Sequence, residues 1–400
     1  MEKFKISEVC NISNGFAFKS EKYVNDNGAR VIRITNVQKG KIVDNDPKLY
    51  PFSELDKLEA YKIFEGDILM SLTGNVGRVG RFPKELLPAY INQRVCRVMP
   101  KNEKLDVNFL FHFLNSDMFE NDAVRNSAGA AQLNLSTNWL AEYEIPLPNL
   151  ATQQKIAAIL DQAEAIILNN RAIVKKYDAL TQSLFLDMFG DPVKNEKGWE
   201  LKAFGSCITV LTDYHANGSY ESLKEVVELK DEKDFALMVR TTDLEKNNFE
   251  DDVKYISEVA YNFLSKSKVY GNEIIINKIG SAGNVFLMPV LNRPVSLGMN
   301  AFLLRFNETK LNVFFTFFLL KTRYGESEIQ KRVKGAVTKT IRKDAIREIP
   351  IIIPPIQLQN QFAERVMVIE AQKQQAQLEL AKSEELFQSL LQRAFKGELS

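Results

Sequence analysis

GAAQLNLSTNWLAEYEIPLP, residues 129–148, is matched 206 residues later by GAVTKTIRKDAIREIPIIIP, residues 335–354. At the same offset SLFLDMFG (183–190) faces SLLQRAFKG (389–397). A slightly shifted offset pairs Arg33 with Arg240, and NQRVCR (92–97) with NAFLLR (300–305). The chain thus carries its plan twice, each copy a globular segment followed by a long helix. Two similar modules joined by helices suggest one molecule reading two related targets at a fixed separation.

The helices are the clearest feature. After Pro148, the residues Ile156, Leu160, Ala163, Ile167, Asn170, Val174, Tyr177, Thr181, Leu184 and Met188 follow a 4-3-4-3 spacing. The same register 206 residues on gives Phe362, Val366, Ile369, Lys373, Ala376, Leu380, Ser383, Phe387, Leu390 and Ala394. A heptad repeat held this long predicts a coiled-coil seam. Asn170 and Lys373 are long polar residues inside the seam, and such residues penalise wrong registers. Ile159, Ile166, Ile173 and Leu180 widen the apolar stripe of the first helix, toward another protein or toward this chain's own globular segments. A helix over 153–188 would be roughly 54 Å long. Connectivity predicts that the two helices pack antiparallel and give the chain a pseudo-twofold layout.

The globular segments are expected at 1–150 and 191–352, with the helices at 151–190 and 353–400. Short apolar runs such as VIRI (31–34), DILMSL (67–72), RVCRVM (94–99), EIIINKIG (273–280) and AFLLRF (301–306) predict strands. NFLFHFLNSDMFENDAV (108–124) predicts a helix, and 311–333 one or two helices. GDPVKNEKGW (190–199) reads as a linker. The fold class is therefore α+β, with two similar mixed modules.

Four hundred residues, 45% apolar and 26% charged, suit a globular protein of two or three domains. No apolar run reaches the ~18 residues of a membrane span, and MEKFKISEVC lacks the apolar core of an export signal. Cys10, Cys96 and Cys207 are dispersed, which predicts reduced thiols in the cytoplasm. Two histidines, His112 and His215, make a His/Cys metal site improbable. The net charge of +1 is uninformative, but its distribution is not. Residues 72–101 hold six basic and one acidic residue, and 305–348 hold eleven and five. Positive charge gathers at comparable places in both repeats, whereas 225–258 is acidic.

Catalytic constellations are not apparent. KGAVTKT (334–340) only superficially resembles a phosphate loop, and GNVGRVG (74–80) does not lead into a helix as a dinucleotide site requires. Asp213, Glu228 and Lys230 imitate a nuclease triple of a kind that arises often by chance. The loops suit nucleic acid better. LTGNVGRVGR (72–81) offers Thr73, Asn75, Arg78 and Arg81, with glycines that permit close backbone approach. Its counterpart NKIGSAGN (277–284) offers Lys278, Ser281 and Asn284. The basic stretch RVKGAVTKTIRK (332–343) adds Lys334, Thr338, Lys339 and Arg342. Its uncharged equivalent SAGAAQLNLS (127–136) adds Gln132 and Asn134. Arg and Asn bind purine edges bidentately, while Lys and backbone amides suit phosphates. Arg33 and Arg240 complete the expected DNA-binding set. An ordinary hairpin turn is the bland alternative for each loop.

These residues resemble the specificity subunits of type I restriction-modification systems. The likeness rests on IPLP with QQKI (Ile145–Pro148, Gln153–Ile156), followed by a helix ending in SLFLDMFG. Its repeat is IIIP with QNQF (Ile351–Pro354, Gln359–Phe362), followed by a helix ending in SLLQRAFKGEL. FKISEVCNISNGFAF and WELKAFGSCITVL resemble the openings of the family's target recognition domains. Asn360 replaces the second Gln of the pair, and the second seam is more polar. The resemblance implies a subunit without catalysis, whose two target recognition domains each read half of a split site in double-stranded DNA. The helix pair would set the spacer and dock two modification subunits. Those partners would bring S-adenosylmethionine and flip the target adenine for N6 methylation. Two restriction subunits using ATP and Mg are a further implied partner. Half-sites about 34–36 Å apart would fit such a ruler. Two rival readings are a protein-binding adaptor with a coiled-coil spacer and a diverged nuclease or methyltransferase acting alone.

Overall fold

The computed structural model describes residues 2–129 and 133–399. It forms two compact units, Met1–Ala172 with Gln377–Ser400, and Ile173–Ala376. The first long helix is Leu150–Phe189 and the second is Ile356–Lys396. Each begins in one unit and ends in the other, so the compact units divide the helices that the sequence marks off as separate segments.

In the first unit, the strand Lys3–Lys5 pairs antiparallel with Glu144–Pro146. A six-stranded sheet runs Cys10–Asn14, Val95–Pro100, Ile68–Ser71, Val79–Arg81, Gly40–Ile42, Val37–Gln38. A three-stranded sheet places Gly28–Ile32 between Leu49–Pro51 and Ala89–Ile91. The second unit pairs Glu200–Ala203 with Pro350–Ile353. Its two four-stranded sheets are Ile208–Asp213, Ala301–Phe306, Ile274–Asn277, Val285–Leu287, and Lys254–Ile256, Ala236–Val239, Val295–Leu297, Lys268–Val269. Mixed helix and sheet content thus recurs in both units.

Each core is closed by both long helices. In the first unit, Ile156, Leu160 and Ile167 share a cluster with Phe109, Phe113, Phe387 and Leu391. In the second, Phe185 and Phe189 of the first helix meet Phe315 and Phe362 at ring distances of 4.7–5.8 Å. Asp178 pairs with Lys373 at 2.6 Å in the same unit, so the helices run antiparallel there. The ten heptad positions of each helix are buried or half-buried, including Val174, Tyr177, Leu184, Val366, Ile369, Leu380 and Leu390. Asn170 donates to Ser383 Oγ at 2.9 Å, which satisfies a polar group inside the seam of the first unit. Ile166, Ile173 and Leu180 stay exposed, so they do not pack on the globular segments.

Three expectations are corrected. The apolar run 108–124 forms two helices, Val107–Leu114 and Asp117–Arg125, because Ser116 caps the second with Oγ accepting from Phe119 N–H. Thr322 does the same between Val313–Lys321 and Arg323–Gln330, accepting from Gly325 N–H. The segment 190–199 is no loose linker, since Trp199 Nε1 donates to Phe189 O and Lys197 Nζ to Asp187 O. Finally, the offset at NQRVCR is 206: Val95 pairs with Ser71, and Ala301 with Asn277. Arg97 and Arg305 still reach matching anchors. Arg97 Nη1 binds Asp67 at 3.1 Å and Lys62 O at 2.9 Å, and Arg305 Nη2 binds Glu273 at 2.9 Å and Lys268 O at 2.7 Å.

Candidate nucleic-acid interface

Each unit carries a tight turn held against a hairpin. The turns join Ile68–Ser71 to Val79–Arg81 and Ile274–Asn277 to Val285–Leu287. Both need left-handed backbone at matching places: Gly74 and Gly77 have φ of 75° and 76°, Gly280 and Gly283 have 81° and 89°. The inner glycine serves packing. A Cβ on Gly77 would lie 2.7 Å from Ala123 Cβ, and one on Gly283 would lie 2.6 Å from Ile329 Cγ2. The close approach these two glycines permit is therefore to the unit's own helix rather than to a ligand.

The hairpins are built alike. Ala128 and Asn134 exchange both backbone hydrogen bonds at 3.0 and 2.9 Å, as do Lys334 and Thr340 at 2.8 and 2.7 Å. Gly74 N donates to Leu133 O at 2.9 Å, matched by Gly280 N to Lys339 O at 3.1 Å. Leu135 N donates to Leu72 O at 2.7 Å, matched by Ile341 N to Lys278 O at 3.0 Å. The equivalent atoms all lie 206 residues apart. Main-chain bonding therefore creates the same two-loop frame twice, while the side chains differ.

Asn75, Asn284, Lys334, Thr338, Lys339 and Arg342 are exposed on or beside this frame. Asn134 is exposed, with its Oδ1 accepting from Thr73 Oγ1 at 2.9 Å. Ser281 is exposed but gives its hydroxyl proton to Glu245. Gln132 lies outside the described residues.

Six of the expected contact residues are buried or have partners within their own unit. Thr73 is buried. Arg78 faces Glu120 at 3.5 Å and Gln38 at 3.4 Å. The Arg81 guanidinium lies 4.4 Å from the Phe111 ring centroid, with Nε and Nη2 buried. Arg33 donates from Nη2 to Asp46 O at 2.8 Å. Arg240 grips Asp243 at 2.7 Å and the Asp252 carbonyl. These last two are true counterparts: Arg33 N donates to Asn36 Oδ1 and Arg240 N to Asp243 Oδ2, each at 2.8 Å. Lys278 Nζ binds Asp213 at 3.0 Å, and Lys343 Nζ binds its other oxygen at 3.0 Å. Burial alone would push the Asp213 carboxyl up, but its bonds to Lys343 and Lys278 hold it below the usual carboxylate range. Asp213 is thus committed to Lys278 and Lys343, and Lys230 binds Asp234 at 2.7 Å, so the nuclease-like triple does not assemble.

Two features escaped sequence reasoning. Arg94 is exposed, and its carbonyl accepts from Leu72 N at 2.9 Å, which sets it beside the first turn. Only strand pairing brings these segments together. The other feature is the first Gln of the QQKI and QNQF elements. Gln153 is fully buried, accepts from Asp106 N at 2.8 Å and donates to Lys104 O and Pro148 O. Gln359 is likewise buried, accepts from Asn312 N at 2.9 Å and donates to Lys310 O and Pro354 O. Asp106 and Asn312 are the N-caps of the helices beneath the frame. The motif is a clamp that locks each long helix to its globular part.

Among the described residues, His112, Asp161 and Glu164 form the one His/Cys/Asp/Glu cluster with metal-ligand spacing. His112 Nε2 already bonds Asp161 at 2.7 Å and burial holds its pKa below the usual histidine range, with Arg81 adding positive charge nearby. No described helix is long and apolar enough to cross a membrane.

Comparison with known proteins agrees with this duplicated frame. The chain is 24% identical to the EcoBI specificity subunit of Escherichia coli, over all of this chain and 86% of that protein. It is 32% identical to the MjaVIII specificity subunit of Methanocaldococcus jannaschii, over 42% of this chain and 40% of that one. The fold resembles the crystal structure of a type I restriction-modification S subunit from M. genitalium, with a TM-score of 0.61 and 17% identity over 98% and 96% of the chains. A chain from a structural study of type I complex assembly and conformational transition gives a TM-score of 0.57 at 17% identity, over 100% and 98% of the chains. The profile described as "Type I restriction modification DNA specificity domain" matches residues 1–176 and again 212–380. With both repeats matched over most of its length, the chain belongs to the type I restriction-modification DNA specificity family.

Proposed function

We propose that each unit reads one half of a bipartite site in double-stranded DNA, using its turn and hairpin, and that the chain itself has no catalytic role. The observation that carries this reading is the same main-chain frame built twice with different exposed side chains. One copy presents Asn75, Arg94 and Asn134, the other Asn284, Lys334, Thr338, Lys339 and Arg342. Equal frames with unequal contact chemistry suit two different half-sites. The names of the relatives, all specificity subunits of type I restriction enzymes, support it.

The helix pair sets the spacer in this reading, since each long helix runs from one unit into the other. Ile166, Leu168, Ile173, Leu180 and Leu186 of the first long helix are 41–58% exposed. Such surface suits docking of two modification subunits, which would carry S-adenosylmethionine, and of restriction subunits using ATP and Mg. Buried, unpaired Cys10, Cys96 and Cys207 suit a reducing cytoplasm.

The test is a methylation map of host DNA with and without this gene. Loss of N6-methyladenine at one split motif with a constant spacer is expected. An unchanged map in a strain expressing a partner methyltransferase would overturn the reading in favour of a protein adaptor.

A further inference from the structure

The most exposed large hydrophobic side chain among the described residues is Val337, 98% accessible at the tip of the second unit's hairpin. A fully hydrated valine gains free energy when a partner offers it an apolar surface. The tip is not slack. Gly335 takes φ +112°, and a Cβ there would lie 2.1 Å from Thr338 O. Backbone bonds between Lys334 and Thr340 close the stem, and Gly280 N anchors it through Lys339 O. Lys334 and Lys339 flank the tip, both exposed and without an ion-pair partner among the described residues.

We propose that this hairpin enters the major groove with Val337 against the 5-methyl group of a thymine. The inference rests on the DNA-reading function proposed above and names a base contact for it. Ammonium groups on the stem match the phosphates that border a groove, and an apolar tip matches the base edges between them. Valine is short and stiff about χ1, so ordering it costs little. That shape suits a methyl contact better than the long wedges that unstack base steps. In the sequence Ala131 stands 206 residues earlier, outside the described residues.

The test uses the complex with its modification subunits and a duplex carrying the mapped site. Each thymine of the two half-sites is replaced in turn by deoxyuridine, which removes only the methyl. For one thymine, deoxyuridine is expected to weaken binding about fourfold to tenfold. Val337→Ala should cause a similar loss, and the two changes together should cost no more than either alone. Lys334→Ala and Lys339→Ala should each lower the salt slope by about one, while Val337→Ala leaves it unchanged. The methyl contact is overturned if V337A binds every duplex as the native complex does, or loses affinity equally for specific and unrelated DNA. A native complex that shows no site-specific, salt-dependent binding would overturn the DNA-reading function itself.

Discussion

Replacing Gln359 by Ala tests whether the repeated glutamine is a structural clamp. The substitution removes three hydrogen bonds in a site that is 0% exposed: Asn312 N–H loses its acceptor, and Lys310 O and Pro354 O lose their donor. Each buried polar group left unpaired costs about 1–3 kcal/mol. Carbonyls retain a second lone pair and recover part of that loss, so about 3–5 kcal/mol is expected, near the top of the range for single changes. The loss should fall on the second unit. Urea unfolding gives the magnitude, and amide hydrogen exchange locates it at the start of the helix Val313–Lys321, beginning with the Asn312 amide. Gln154→Ala is the control, because Gln154 is exposed beside the equivalent Gln153 and should change stability by less than about 0.5 kcal/mol. Equal small effects from Q359A and Q154A, with Asn312 still protected, would refute the clamp.

Two further outcomes follow from buried charge. Asp213 has a folded-state pKa below its ordinary 3.8, so its contribution is present above that value and is lost as pH falls through the lower folded value. Asp213→Asn should cost about 2 kcal/mol near neutrality and flatten acid destabilisation of the second unit below about pH 4; an unchanged acid limb in denaturant midpoints would contradict this. His112 is held neutral chiefly by burial, against the opposing pull of Asp161, so the first unit should weaken as pH falls below 6.5 toward the depressed folded value. His112→Phe, which installs the residue found 206 positions on at Phe318, should remove that slope from midpoints measured between about pH 5 and 7.5, and a persisting slope would count against it.

The duplication and the two helices were legible in the sequence because both are one-dimensional signals. A fixed offset needs only matching residues along the chain, and a heptad stripe needs only the regular turn of a helix. Those signals placed the turns at 72–81 and 277–284 and the hairpin stretches 127–136 and 332–343 in correspondence. Strand pairing later ties the same atoms together.

Which polar side chains face outward was not legible, because residue type does not reveal its partner. Arg33, Arg78, Arg81, Arg240 and Lys278 look like DNA contacts in the sequence, but in the fold they meet the Asp46 carbonyl, Glu120, the Phe111 ring, Asp243 and Asp213. Lys334, Lys339 and Arg342 look identical in sequence and stay exposed, because their hairpin projects from the frame. Gln153 appears in the sequence only as part of the QQKI element, yet its amide ties backbone groups of 104–106 to Pro148. The sequence by itself determined a repeated α+β plan and a paired-helix seam, both set by local periodicity. Only the tertiary structure decided which charges are spent inside each unit and which remain for a partner, since that depends on neighbours brought together from far along the chain.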